Sequence, residues 1–237
     1  MLKTVKRAGK WFLDEVVAPL CQYVDYRIPS TTLLRELERR TAAECADYVI
    51  TAMPAALQFP RRKDVLEHAL GRLAPGGLAA EFGVWNGESI NYLAKRLHPG
   101  VIHGFDSFEG LQEDWAGWSE PKGTFSRQGR LPKVEGNVRL VKGWFDASLP
   151  PFLAAHPGPF ALVHVDCDTY ESTRIVLGLI GPRIVDGTVI IFDEYLGYRG
   201  WRLGEFRAWQ EFTRAAGLEY AYLSFSNKAV AVQVTRR

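Results

Sequence analysis

The chain contains 237 residues, of which 47% are hydrophobic and 24% are charged, and this composition excludes a disordered or collagen-like protein. Its 29 basic and 27 acidic side chains leave a net charge of +2, which gives no reason to expect a nucleic-acid partner. Three cysteines without Cys-x-x-Cys spacing predict neither a disulfide framework nor a zinc site, so we expect a reduced, cytoplasmic location. The apolar runs are much shorter than the ~20 residues of a membrane-spanning helix, and no transmembrane segment is expected.

The first part of the chain has the periodicity of helices, and we predict a helical extension or lid over residues 1–75 before a domain over residues 76–237. The extension begins with four basic residues and no acidic residue among them: Lys3, Lys6, Arg7 and Lys10. No secretory signal is expected, because no long apolar region with a cleavage site follows these residues. Its apolar faces favour packing on the domain or on a second subunit, which would form a homo-oligomer. Weak adhesion to anionic lipid is the less favoured alternative.

From residue 78 onward, short apolar runs alternate with helical stretches such as Ser89–Leu97 and Leu203–Ala216. The runs predict five parallel strands: Leu78–Val84, Val101–Phe105, Val138–Val141, Ala161–Val165 and Thr188–Phe192. Two further runs, Glu219–Phe225 and Ala229–Val234, are separated by three polar residues and predict an antiparallel hairpin. We therefore predict a doubly wound, Rossmann-like α/β fold with a seven-stranded, mostly parallel sheet.

Acidic residues lie at the ends of four predicted strands, where open α/β sheets bind their ligands. They are Glu81, Asp106, Asp166, Asp168, Asp193 and Glu194. A single Asp after a strand is more often a helix cap than a ligand, but four such strand ends at one edge of the sheet favour a binding site.

The loop after the first of these strands contains Gly83 and Gly87, and the Gly-x-Gly-x-x-Gly of nicotinamide-binding folds is absent. Asp106 lies 25 residues after Glu81, about the distance at which an acid meets ribose hydroxyls in doubly wound folds. These features favour a nucleoside without a diphosphate, and S-adenosylmethionine fits that description.

Five short motifs in register resemble the metal-dependent sugar O-methyltransferases of macrolide and novobiocin biosynthesis, which are class I S-adenosylmethionine-dependent methyltransferases. The motifs begin at Glu81, Asp106, Gly143, Asp166 and Asp193. The similarity is closer to a widespread bacterial branch of that family with a shorter middle loop.

The resemblance implies three groups of site residues. Cofactor contacts are expected from Met53, Glu81, Gly83, Val84, Trp85, Gly87, Asp106, Ser107, Phe108, Gly110, Trp144, Phe145 and Asp166. The expected Mg²⁺ ligands are Asp166, Asp193 and Glu194, and Asp168 matches the residue proposed as general base in the family.

The sequence departs from the antibiotic enzymes at three places. Glu194 stands where they have Asp, and Cys167 replaces a Gly and is expected to be a packed thiol. The segment 112–137 is shorter, and its tryptophans Trp115 and Trp118 fit either a substrate lid or an ordinary surface loop.

The predicted function is Mg²⁺-assisted, S-adenosylmethionine-dependent O-methylation of a hydroxyl on a sugar, a glycan or another small molecule. A catechol-type phenol O-methyltransferase and a non-catalytic nucleoside-binding module are the alternatives. A nicotinamide-dependent oxidoreductase is disfavoured by the missing glycine motif.

Overall fold

The computed structural model describes residues 31–236, and the chain divides into two compact units, residues 1–43 and residues 44–237. The basic segment and the apolar face predicted within residues 1–30 lie outside the described residues. Helix α1 (Thr31–Ala52) runs through the described part of the first unit, where Glu36 pairs with both Arg39 and Arg40. The domain boundary predicted after residue 75 stays a prediction.

The second unit is built on one mixed sheet, which has eight strands within residues 31–236. The strands are β1 (Leu57–Gln58), β2 (Leu78–Phe82), β3 (Ile102–Asp106), β4 (Val138–Lys142), β5 (Phe160–Val165), β6 (Val189–Phe192), β7 (Glu219–Phe225) and β8 (Val230–Arg236). Their order is β1-β7-β8-β6-β5-β2-β3-β4, with β8 antiparallel to both β6 and β7. The predicted fold class is confirmed, and each of the seven predicted strands is present.

The strand that the sequence does not predict is β1, which pairs in parallel with β7 at the edge of the sheet. It has only two residues, and both are exposed. A segment this short has no alternation from which a strand can be predicted, and its conformation comes from the edge of β7 rather than from its own sequence.

Helices cover both faces of the sheet. They are α2 (Arg62–Leu70), α3 (Glu88–Leu97), α4 (Phe145–Ala155), α5 (Tyr170–Ile180) and α6 (Glu205–Ala216). Alternate residues of β6 enter opposite core clusters: Ile190 and Phe192 pack in one, Val189 and Ile191 in the other. Because side chains alternate across a strand, burial on both sides explains why the central strands are apolar throughout.

The parallel strands end in register, and this alignment creates the functional edge. Phe82 of β2 pairs with Phe105 of β3 and Val165 of β5, and Val165 pairs with Phe192 of β6. The residues that follow these four positions therefore emerge side by side. Within residues 31–236, no helix has the length and apolar character needed to cross a membrane.

Candidate active site

A cavity of about 330 Å³ opens at the carboxyl ends of the parallel strands. It is lined by twelve of the predicted site residues: Gly83, Val84, Trp85, Asp106, Ser107, Gly110, Trp144, Phe145, Asp166, Asp168, Asp193 and Glu194. The structure thus brings most of the predicted cofactor residues, all predicted metal ligands and the predicted base to one place.

Four predicted cofactor residues are not among the described residues that line this cavity. Met53 and Phe108 are almost fully buried in the two core clusters, and Glu81 has no exposed surface. Gly87 is the N-cap residue directly before α3 and has a left-handed backbone conformation. Their predicted contacts with a cofactor stay predictions.

The loop after β2 passes directly beside the loop after β5, and Gly83 permits this approach. Gly83 has a φ of +91°, and a Cβ atom added there would lie 1.7 Å from the carbonyl oxygen of Asp166. No other residue fits this position without moving the backbone. Gly83 therefore sets the distance between the glycine loop and the acidic end of β5.

Asp106 holds the glycine loop in place through its carboxylate. Oδ2 accepts hydrogen bonds from the backbone N–H groups of Val84 (2.9 Å) and Trp85 (2.8 Å), and Oδ1 accepts one from Phe108 (2.6 Å). Trp85 and Phe108 both have positive φ angles, 45° and 61°, in the region that side chains rarely adopt. Asp106 therefore stabilises two strained turns at the cavity wall.

Glu81 forms a buried polar network beneath the cavity. Its Oε2 lies 2.8 Å from Nδ1 of His164, and its Oε1 accepts a hydrogen bond from Ser89 Oγ at 3.1 Å. Burial favours the neutral imidazole, but the carboxylates of Asp193 and Glu81 raise the pKa of His164 to about 10. His164 has no exposed surface, and its Nε2 lies 3.8 Å from Oδ1 of Asp193, so the ring lies between Glu81 and the acids at the strand ends.

Four acidic side chains, which we call the carboxylate cluster, meet at the ends of β5 and β6: Asp166, Asp168, Asp193 and Glu194. Ligand oxygens of Asp166, Asp168 and Glu194 lie within 4.8 Å of one another. Asp166 also belongs to a second group of this size, with Asp193 and a ring nitrogen of His164. The predicted base, Asp168, thus lies as close to Asp166 and Glu194 as a metal ligand would.

Burial and mutual repulsion raise the pKa values of the cluster. Burial and the charge of Asp193 raise the pKa of Asp166 to about 7. Burial and the negative charge of Asp166 raise the pKa of Asp168 well above its usual value. Burial and the negative charge of Asp193 do the same for the pKa of Glu194. Such a cluster is stabilised when a cation enters it.

The donor atoms of the cluster fit a hard divalent cation. Oε2 of Glu194 is buried without a hydrogen-bond partner among residues 31–236, and Oε1 lies 4.0 Å from Nζ of Lys228. Carboxylate oxygens are the ligands that Mg²⁺ prefers, whereas zinc prefers nitrogen and sulfur. The residues present therefore suit Mg²⁺.

Besides Lys228, the charged residues Arg62 and Glu205 also reach the site without being predicted from the sequence. Arg62, the first residue of α2, reaches Asp166 and Asp193. Glu205 in the first turn of α6 is fully buried and accepts a hydrogen bond from the backbone N–H of Glu194 at 3.0 Å. Arg62 follows β1, the two-residue strand that the sequence does not predict, and Glu205 begins a helix well after β6, so no signal in the sequence connects them with this edge of the sheet.

Aromatic side chains also line the cavity, and we call Trp85, Trp115, Trp118 and Phe125 the aromatic wall. All four line the cavity. Trp115 stacks on Trp118 with ring centroids 5.4 Å apart, and Nζ of Lys228 lies 4.1 Å from the Trp118 centroid. The segment between β3 and β4 thus contributes to the cavity rather than lying elsewhere on the surface.

Cys167 lies between Asp166 and Asp168 and also lines the cavity. Its Sγ is 3.5 Å from Oγ1 of Thr173, and burial raises the pKa of the thiol well above its usual value. A thiol that stays protonated is a poor nucleophile, which agrees with the predicted packing role.

Comparison with known proteins identifies the central part of the chain. Residues 80–195 match the family model of a methyltransferase domain. The chain is 30% identical to an 8-demethyl-8-(2,3-dimethoxy-alpha-L-rhamnosyl)-tetracenomycin-C 4'-O-methyltransferase of Streptomyces olivaceus, over 55% of this chain and 57% of that protein. It is 26% identical to a demethyldecarbamoylnovobiocin O-methyltransferase of Streptomyces niveus, over 56% and 58%. The chain thus spans less than two thirds of either relative.

The fold is that of class I methyltransferases. A crystal structure of the calicheamicin methyltransferase CalS11 superposes with a TM-score of 0.59, covering 87% of this chain and 94% of that one at 24% identity. The predicted resemblance to sugar O-methyltransferases is confirmed by the match of residues 80–195 to a methyltransferase domain and by the two O-methyltransferase relatives.

Proposed function

We propose that the protein transfers a methyl group from S-adenosylmethionine to a sugar hydroxyl with the help of Mg²⁺. The convergence of Asp166, Asp168 and Glu194 beside the Gly83 loop carries this proposal, because it joins an oxygen-donor cation site to a nucleoside-sized cavity. The Streptomyces olivaceus relative, which is named for methylating a rhamnosyl tetracenomycin, supports a sugar as the acceptor.

The chemistry of the cavity wall supports a position for the cofactor. Trp144 keeps 38% of its surface exposed beside Phe145 at the start of α4, which leaves aromatic faces available to adenine. Ser107 follows Asp106 at the end of β3, where doubly wound folds meet ribose hydroxyls. The loop from Gly83 to Trp85 would then hold the amino-acid end of the cofactor.

In this proposal, Asp166 is the central ligand of the cation, because it belongs to both groups of close donor atoms. Asp193 from one group and Glu194 from the other complete the site, and Asp168 lies beside them. A bound Mg²⁺ supplies Lewis-acid polarisation of the acceptor hydroxyl. The three carboxylates fix where the oxygens of the acceptor lie. The acceptor hydroxyl is thereby aligned with the methyl group of the cofactor for displacement.

Asp168 is the proposed proton acceptor. Its carboxylate lines the cavity beside Asp166 and Glu194, and its backbone has a left-handed conformation with a φ of 66°. Strained conformations of this kind persist where the surroundings fix them, and they are common at functional sites. As the new C–O bond forms and the C–S bond of the cofactor breaks, the Asp168 carboxylate can accept the hydroxyl proton.

Three members of the aromatic wall, Trp115, Trp118 and Phe125, are the proposed binding surface for the sugar. Trp118 is 38% exposed, whereas Trp115 beneath it is only 5% exposed, so Trp118 is the ring that an acceptor can reach. Aromatic faces bind the apolar face of a sugar ring while its hydroxyls turn toward the carboxylates.

Ligand-induced stabilisation tests the proposal at the level of the cofactor. A ligand that binds only the folded state raises the melting temperature. We expect S-adenosylhomocysteine to raise it and NAD to leave it unchanged. A rise with NAD and none with S-adenosylhomocysteine would refute the methyltransferase function. The cytoplasmic location and a homo-oligomer formed through the N-terminal helices stay predictions.

A further inference from the structure

A cationic side chain from outside the parallel sheet lies among the proposed metal ligands. Nη2 of Arg62 donates a hydrogen bond to Oδ2 of Asp166 at 2.8 Å, and Nε of Arg62 pairs with Oδ1 of Asp193. One guanidinium therefore bridges the ends of β5 and β6, which are the two strands that supply the carboxylate cluster.

The guanidinium and a divalent cation require the same oxygen atoms. The planar guanidinium fork bonds carboxylates in a fixed geometry, and it occupies an oxygen of Asp166 and an oxygen of Asp193. Two positive charges a few ångströms apart in a partly buried site repel each other strongly. Arg62 and a cation coordinated by both aspartates are therefore expected to exclude each other.

The position of Arg62 in the fold allows it to leave. Its side chain keeps 41% of its surface exposed, whereas that of Asp193 keeps 7%. Arg62 is also the first residue of α2, where the positive end of the helix dipole disfavours a cation. The side chain can thus rotate into solvent without unpacking the core, while the two carboxylates stay in place.

We infer that Arg62 is an internal counterion that neutralises Asp166 and Asp193 in the cation-free protein and is displaced when a divalent cation binds. This inference rests on the cation site of the proposed function. It makes Arg62 a positioning residue that sets the affinity for the cation, because each binding event must break its two ion pairs.

The test is a calorimetric titration of the cofactor-free protein with MgCl₂, with Arg62→Gln beside the unaltered chain. We expect Arg62→Gln to bind Mg²⁺ about tenfold more tightly, since no ion pair must be broken. Arg61→Gln is the matched control, because Arg61 pairs with Asp64 on the surface and should leave the affinity unchanged. Unchanged or weaker Mg²⁺ binding by Arg62→Gln, or no binding by either protein, would overturn the inference.

A second measurement follows Mg²⁺ binding in the unaltered chain, and a variant serves only to assign the resonance. The Nε–H resonance of Arg62 in ¹⁵N NMR spectra, assigned with Arg62→Lys, should move toward the position of free arginine as Mg²⁺ saturates the site. A resonance that stays in place at saturation would show that the ion pairs persist. S-adenosylhomocysteine binding in the same samples reports on the methyltransferase fold independently, so failure of the Arg62 inference is distinguishable from failure of the proposed function.

Discussion

Individual carboxylates at this site differ in their partners, and the partners predict their roles. Both oxygens of Asp106 accept backbone hydrogen bonds, whereas Asp168 faces the cavity among other acids. A side chain that organises backbone should affect stability and binding together. A side chain that faces the reacting hydroxyl should affect turnover alone.

Asp168→Asn should lower kcat by roughly 10²-fold or more, the range for a lost general base. The amide keeps one oxygen beside Asp166 and Glu194, so the affinities for Mg²⁺ and S-adenosylhomocysteine should change little. Calorimetry and steady-state kinetics on one preparation separate the two effects. Loss of Mg²⁺ binding equal to that of Asp166→Asn would make Asp168 a metal ligand instead of a base.

Asp106→Ala should weaken S-adenosylmethionine binding by at least ~1.5 kcal/mol and lower the free energy of unfolding by about 1–3 kcal/mol, because three backbone N–H groups lose their acceptor. Asp106→Asn, which retains one acceptor oxygen, should show smaller changes in both. Unchanged cofactor affinity in Asp106→Ala would refute the placement of the cofactor against this loop.

At the scale of elements, each loop that follows a strand makes a separate part of the cavity. The segment between β3 and β4 supplies Trp118, and the start of α4 supplies Trp144. The two tryptophans have the same exposed fraction, 38%, so substitutions at the two positions can be compared directly.

Trp118→Ala should raise KM for the sugar acceptor roughly three- to tenfold, the range for a lost aromatic contact, and leave cofactor affinity unchanged. Trp144→Ala should weaken S-adenosylhomocysteine binding and leave KM for the sugar acceptor unchanged. Acceptor titrations at saturating cofactor and calorimetry would show the crossed pattern. If both variants lose affinity for the same ligand, the assignment of Trp118 to the acceptor and of Trp144 to the cofactor is wrong.

Deletion of residues 1–30 should leave a folded core that binds the cofactor, because every motif at the sheet edge lies after residue 78. The oligomer size or substrate closure should change, since amphipathic helices need a surface to cover their apolar face. Light scattering and activity assays on the truncated protein check this. Unchanged subunit stoichiometry together with normal turnover would show that the segment is dispensable.

For the whole molecule, prediction from the sequence succeeds where local pattern and function coincide. Apolar runs predict the strands, and the acids that follow them meet because parallel strands end at one edge. Arg62 and Glu205 reach the same place from helix starts with no distinguishing pattern, so only the tertiary structure connects them with it. The ion pairs of Asp166 and Asp193 with Arg62 are unpredictable for the same reason.

The central claim is that the carboxylate cluster supports methyl transfer to a sugar hydroxyl through a bound cation. The most direct measurement is methyl transfer from S-adenosylmethionine to a panel of rhamnosyl, other deoxysugar and catechol acceptors, with EDTA and after Mg²⁺ is restored. We predict transfer to a sugar acceptor that EDTA abolishes and Mg²⁺ restores. Full activity in EDTA, or transfer confined to the catechols, would contradict the account.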